Sequence, residues 1–214
     1  MNVYFMRHGE TDWNSIKRVQ GHTDIPLNQN GISLAEKTSR AVHEAGIKFD
    51  LIYTSPLVRA KKTAEIMNLY SKTKIIEDKR IIEFCFGEGE GHTYDEIKTN
   101  DYFKNLRNWF LAPENYVVEK GAESYEEFFG RIDSFLETIR TIEKKGFTDE
   151  SGNKSSVENV LIVCHGGVVR GLLKQMLGWS TADFAKTRIP NCGLNLCKLT
   201  DGEFAMEYTA KVFN

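Results

Sequence analysis

His8 and His165 are each followed by glycine and each preceded by a short apolar run, Val3–Met6 for the first and Val160–Cys164 for the second. Such a run reads as a buried strand. Both imidazoles therefore fall just past a strand's carboxyl end, where open α/β sheets bind their ligands. Gly9 and Gly166 let the backbone turn sharply and approach a ligand closely. Arg7 adjoins the first histidine, and Arg59 lies early in the helix expected after Ser55-Pro56. A helix starting near Gly167 would add free N–H groups and the positive end of its dipole at the same edge. Two imidazoles, two guanidiniums and a helix terminus make a pocket for a tetrahedral dianion. Taken singly, each of these residues reads as an ordinary surface or core residue. It is their convergence on one edge that points to chemistry.

The elements that must hold these groups follow in order. Ser33 and Glu36 have capping-box spacing ahead of Ala41, Val42 and Ala45, with Gly46 as the stop. Leu51-Ile52-Tyr53 is a second strand, and Ser55-Pro56 supplies an N-cap and first-turn proline for a helix towards Tyr70. Thr73–Glu77 is a short strand. Residues 84–123 are rich in aromatics and read as a mainly helical cap inserted into the domain. Ser124 and Glu127 form a further capping box, and Phe128, Ile132, Phe135, Ile139 and Ile142 repeat at helical spacing as a core stripe. Lys144–Glu158 is a polar loop and Val168–Leu177 a helix. Leu194–Leu199 and Phe204–Thr209 pair as a hairpin around Asp201-Gly202. Strands alternating with helices predict an α/β fold, three-layer α/β/α with a mostly parallel central sheet, in one domain over residues 1–214.

Composition narrows the partners. A formal net charge of −2 argues against a nucleic-acid scaffold or a membrane-surface binder. No apolar run approaches the roughly 20 residues of a membrane span. Met1–Met6 has no basic leader, so no signal peptide is expected. Cys85, Cys164, Cys192 and Cys197 lack CxxC spacing and form no zinc-like pattern with histidine, which fits a reducing, cytoplasmic setting. Gly87-Glu88-Gly89-Glu90-Gly91 has the wrong spacing for a dinucleotide loop, and its two carboxylates would repel a pyrophosphate. His22 and Asp24 could ligate a metal, but a surface or substrate-contact role suits them better. Neither a metal nor an organic cofactor is expected.

Arg7-His8-Gly9-Glu10-Thr11, with Trp13-Asn14 after it, resembles the signature of the histidine phosphatase superfamily, which includes the cofactor-dependent phosphoglycerate mutases. Four further blocks follow in the family's order: Gln20-Gly21 with Asp24-Ile25-Pro26-Leu27; Tyr53–Leu57 with Arg59-Ala60 and Thr63-Ala64; Glu83 with Phe86-Gly87 and Glu90-Gly91; and His165–Val168 with Arg170. The resemblance implies that His8 is the nucleophile, its other ring nitrogen donating to a backbone carbonyl near Gly9. Arg7, Arg59 and His165 would hold the phosphoryl oxygens, with Asn14 and Gly166 beside them. Glu83 would be the general acid and then the base that activates water. Gln20, Gly21 and Thr23 would contact substrate. Gly89 departs from the pattern, standing where the family often has an aromatic residue.

Three functions fit these residues. The leading one is a phosphomonoester hydrolase acting through phosphohistidine on a small phosphorylated metabolite. The second is a cofactor-dependent mutase, but such enzymes grip a substrate carboxylate with adjacent arginines in the cap. Here that stretch offers Lys98, Lys104 and Arg107, and its aromatic content suits a partly apolar substrate. The third, a non-catalytic phospho-ligand binder, is disfavoured because every catalytic position is intact.

Overall fold

In the computed structural model, which describes residues 1–212, β1 (Asn2–Arg7) leads into α1 (Asp12–Ser15), α2 (Gln29–Glu44), β2 (Leu51–Thr54), α3 (Val58–Met67) and β3 (Lys74–Glu77). The aromatic-rich segment contains α4 (Tyr94–Thr99) and α5 (Lys104–Leu111). There follow α6 (Tyr125–Lys145), a small hairpin of β4 (Phe147–Thr148) and β5 (Lys154–Ser155), β6 (Asn159–Cys164) and α7 (Gly166–Leu177). The chain closes with α8 (Thr181–Lys186), β7 (Leu194–Thr200) and β8 (Glu203–Lys211).

The main sheet has the order β3-β2-β6-β1-β7-β8. β3, β2, β6 and β1 are parallel, and β7 runs antiparallel to both β1 and β8. Side chains alternate along each strand, so every central strand serves two cores. Val3, Phe5, Val160 and Ile162 pack with Phe128 and Ile132 of α6 and Leu172 of α7. Tyr4, Met6, Leu161 and Val163 pack with Val42 of α2 and Ala60 and Ala64 of α3. The result is the expected three-layer α/β/α arrangement. Each fully buried Phe or Leu contributes roughly 1.5–3 kcal/mol from leaving water, and the two cores hold the sheet rigid beneath the site. Among the described residues, no helix is long and apolar enough to cross a membrane.

Backbone pairing continues one residue past the strands. The His8 N–H donates to the Cys164 carbonyl at 2.9 Å, and the Ser55 N–H to the Val163 carbonyl at 3.0 Å. His8, Ser55 and His165 therefore leave the sheet together at one edge.

Three local expectations shift. α2 is capped by Asn28, whose side chain accepts the Gly31 N–H, so Ser33 lies inside the helix and caps nothing. α3 has no side-chain cap from Leu57 and ends at Met67. Its first N–H, that of Val58, donates instead to Asp24 Oδ1 at 2.8 Å. The polar stretch after α6 contains the β4–β5 pair. Ser124 and Glu127, by contrast, form the expected capping box of α6.

Candidate active site

The edge beyond β1, β6 and β2 opens into a narrow cavity of about 80 Å³ whose wall includes Arg7, His8, Asn14, Arg59, Glu83 and Gly166. His165 is next to this cavity, its ring centroid 5.2 Å from that of His8.

His8 Nδ1 donates to the Gly9 carbonyl at 2.6 Å. A carbonyl only accepts, so the proton resides on Nδ1 and the Nε2 lone pair is left free. The motif's backbone is itself held: Asn191 Nδ2 donates to the carbonyls of His8 and Gly9 at 2.9 and 3.1 Å, and the Gly9 N–H donates to Thr63 Oγ1 at 3.0 Å. Gly9 must be glycine because a Cβ there would stand 2.6 Å from the Gly31 carbonyl oxygen of α2.

His165 is fully buried. Its Nε2 lies 2.7 Å from Ser55 Oγ, and its Nδ1 has no partner. A hydroxyl both donates and accepts; a Ser55 hydroxyl donating to Nε2 would leave the ring proton on Nδ1, free for a ligand. Arg59 is also 0% exposed. It donates from Nη1 to the Thr23 carbonyl at 2.9 Å and from Nη2 to the Gly21 carbonyl at 2.7 Å, and its Nε is unpartnered. Arg7 donates from Nη1 to the Ile189 carbonyl at 2.9 Å and likewise leaves Nε unpartnered. Two buried guanidinium N–H groups and a buried imidazole nitrogen without partners in one site are costly unless a ligand completes them.

Burial draws the charged forms of these groups out of water. Desolvation, then Arg59 and Arg7, holds His8 well below the ordinary imidazole value, against the opposing hydrogen bond to Gly9. Desolvation, then Arg59 and His8, does the same to His165. Desolvation lowers Arg59 to about 10, which still leaves it charged at neutral pH. In an NMR titration, His8 is expected to keep its neutral, Nδ1-protonated form from about pH 7.5 to about pH 5.5, a range in which a free imidazole becomes charged. Titration near 6.5 would contradict this. The unfolded chain takes up these protons near 6.5 and the folded chain does not. Stability should therefore fall as pH drops below that value towards the folded pKa values.

Glu83 accepts the Phe84 N–H on Oε1 at 2.9 Å and the Gly167 N–H on Oε2 at 3.1 Å. One N–H of the α7 amino terminus is thus committed to a carboxylate. A Cβ on Gly167 would meet Glu83 Oε1 at 2.5 Å, so this glycine makes room for the acid. The Glu83 carbonyl accepts from Arg131 Nη2 at 3.0 Å and from His22 Nε2 at 2.8 Å. Asn14 Oδ1 accepts the Thr11 N–H at 3.1 Å, closing the capping box of α1, and its amide NH₂ has no partner among the described residues.

Gln20 and Gly21 are on the cavity wall, and Gln20 Oε1 is buried and unpartnered. Thr23 is not on it. Its N–H and hydroxyl donate to Glu90 Oε2 at 2.8 and 2.6 Å, while His22 N–H and Phe86 N–H donate to Oε1 at 2.9 and 3.2 Å. Glu90 thus ties down the loop whose carbonyls hold Arg59. Gly89 leaves space for Leu106 of α5, whose Cδ2 would lie 2.1 Å from an added Cβ. Asn191, Arg131 and Arg18 carry no role in the sequence reading, and Ser55 appears there only as a helix cap and within the Tyr53–Leu57 block. Arg170 appears there within the last block, but without a role. Asn191 follows β-strand-poor, irregular chain and has no motif of its own that could have flagged it. Among the described residues, no three His, Cys, Asp or Glu side chains gather as a metal-ligand set.

The sequence profile of the Histidine phosphatase superfamily (branch 1) matches residues 3–211. The chain belongs to the histidine phosphatase superfamily. It is 35% identical over 205 residues to the uncharacterized phosphatase PhoE of Bacillus subtilis, covering 96% of this chain and 89% of that protein. It is 28% identical to phosphoglycerate mutase-like protein 4 of Arabidopsis thaliana, covering 94% and 80%. A phosphoserine phosphatase from Entamoeba histolytica, solved with phosphoserine, superposes with a TM-score of 0.78 at 23% identity over 98% of this chain and 96% of that one. As a histidine phosphatase superfamily member, the protein is an enzyme of the phosphatase and mutase-like kind.

Proposed function

We propose that this protein hydrolyses a small phosphomonoester through a phosphohistidine on His8. The observation that carries the reading is the set of unpartnered buried nitrogens, Arg7 Nε, Arg59 Nε and His165 Nδ1, beside a His8 ring locked with its Nε2 lone pair free. A bound phosphoryl group supplies acceptors for both guanidinium N–H groups and, with Ser55 donating to His165 Nε2, for the proton on Nδ1. The Nε2 lone pair attacks phosphorus as the bond to the leaving oxygen breaks, and Glu83 transfers its proton to that oxygen. Glu83, now a carboxylate, then takes a proton from water as the water oxygen attacks phosphorus and the P–N bond breaks. Arg7, Arg59 and His165 hold the equatorial oxygens throughout. Asn14 and Gly166 add hydrogen bonds to the phosphate, and Gln20 and Gly21 meet the substrate. We further read the chain as one domain with residues 84–123 as a cap, working in a reducing, cytoplasmic setting.

Rapid quench with a ³²P-labelled ester is the direct test. An acid-labile, base-stable adduct on His8 should form and decay to free phosphate without an added acceptor, in the presence of EDTA. A requirement for a phosphorylated primer would favour the mutase, and absence of the adduct would overturn the reading.

Glu90 acts one step away, as a positioning residue for Arg59. Glu90→Gln puts an NH₂ group against N–H donors. Losing hydrogen bonds to a charged acceptor should weaken inhibition by inorganic phosphate about tenfold or more. Unchanged phosphate affinity in a folded Glu90→Gln would show that the loop holds Arg59 without it.

A further inference from the structure

The cavity carries more positive charge than a transferable phosphoryl group uses. Arg7, Arg18, Arg59 and Arg170 line it, and Glu83 is the one carboxylate on the same wall among the described residues. A phosphomonoester brings a charge of about −2, so with Glu83 ionised at least one arginine remains uncompensated, and with Glu83 protonated, two. Arg7 and Arg59 flank His8. Arg170 projects from α7, fixed by Nε donating to the Thr187 carbonyl at 2.8 Å. Its two terminal nitrogens have no partner among the described residues.

Arg170 also lines an adjoining groove of about 280 Å³, as do Tyr94 and Phe110, so the groove opens directly off the phosphate site. Leu111 extends its apolar surface, Lys98 and Arg107 supply further cations, and no carboxylate lines it among the described residues. Arg107 is already engaged, donating to the Lys98 carbonyl at 2.9 Å with Asp101 at 3.5 Å. Arg170 is thus the cation common to both spaces. Its burial lowers its pKa, by desolvation first, and an anion there would offset that cost.

We propose that the natural substrate's alcohol has an apolar, ring-sized body lying on Tyr94 and Phe110 and carries a second anionic group bound by the Arg170 guanidinium. This rests on the phosphohydrolase reading. Carboxylate and phosphate share the required chemistry, and matched esters distinguish them.

The test compares 4-methylphenyl phosphate, 4-(carboxymethyl)phenyl phosphate and 4-(phosphonomethyl)phenyl phosphate. The methylene group insulates the leaving oxygen, so the three differ mainly in the distal charge. One charged ester, or both, should exceed the methyl ester in kcat/KM by about 10- to 100-fold, the range of a charge-assisted hydrogen bond. Arg170→Met should bring that ratio close to one, and Arg170→Lys should restore part of it. Because the ratio is taken within one protein, losses common to all esters cancel. Dissociation constants of the same esters on His8→Ala, read by calorimetry, report the anion site independently of turnover. An affinity ratio without turnover in wild type would support the second-anion site and overturn the phosphohydrolase reading. Equal kcat/KM for the three esters on the wild-type enzyme, or a preference that survives Arg170→Met, would overturn the second-anion site.

Discussion

His8→Ala is expected to lower turnover by at least about 10⁴-fold, the scale on which removal of a covalent nucleophile is felt, while inorganic phosphate still binds. The two readouts separate because the structure separates their causes. In the proposed reaction the attacking lone pair is that of His8 Nε2, whereas His165 Nε2 is engaged by Ser55. Among the proposed oxyanion donors, Arg7 and Arg59 are anchored to the backbone at Ile189, Gly21 and Thr23, and those anchors do not involve His8. Calorimetry with inorganic phosphate and steady-state kinetics on one preparation check both halves. Residual turnover within tenfold of wild type would remove His8 as the nucleophile. Loss of phosphate binding with intact melting behaviour would mean that the ring is part of the anion site itself.

Glu83→Gln should slow both transfers, because it keeps the side chain's shape and removes the proton. A positioned acid or base contributes about 10²–10⁴-fold. p-Nitrophenolate leaves with little protonation, so phosphorylation of His8 should suffer less with that ester than with an alkyl phosphate. Hydrolysis of the phosphohistidine should be impaired with either. Glu83→Gln should therefore show a burst of p-nitrophenol followed by a slow steady state, and no burst on an alkyl phosphate. Both carboxylate oxygens accept backbone N–H groups, so glutamine must turn its NH₂ towards one of these donors, and a loosened side chain will add to the loss. Near-wild-type rates on both esters would take Glu83 out of the mechanism. Glu90 does not offer itself as a replacement, since four donors already surround its oxygens.

The residues proposed to carry chemistry were legible because each stands next to a local signal. An apolar run ends before Arg7-His8 and before His165, and strand alternation then delivers both to one edge. The apolar periodicity of α6 and its capping box were equally plain, since both depend on residues within a few positions of each other. Ser55 shows where local reading stops. Its spacing suggests a helix cap, yet the hydroxyl is taken by His165 from 110 residues away, and α3 is capped by Asp24 from another loop. A capping residue and a histidine compete for the same oxygen, and only the assembled edge decides between them.

The sequence by itself determined the layer architecture, the two histidines at the sheet edge and the arginines beside them, because hydrophobic period and turn chemistry act over short stretches. Tertiary structure alone decided how those groups are held. It engaged His165 Nε2 with Ser55, oriented Arg59 through a loop that Glu90 ties down, and fixed the His8–Gly9 turn through Asn191. It also placed Arg170 between the phosphate cavity and the groove beside it. Each of these is a hydrogen bond or a juxtaposition between segments remote in the chain. Directional bonds of about 3 Å reach only what packing has already brought near, and packing is a property of the whole fold.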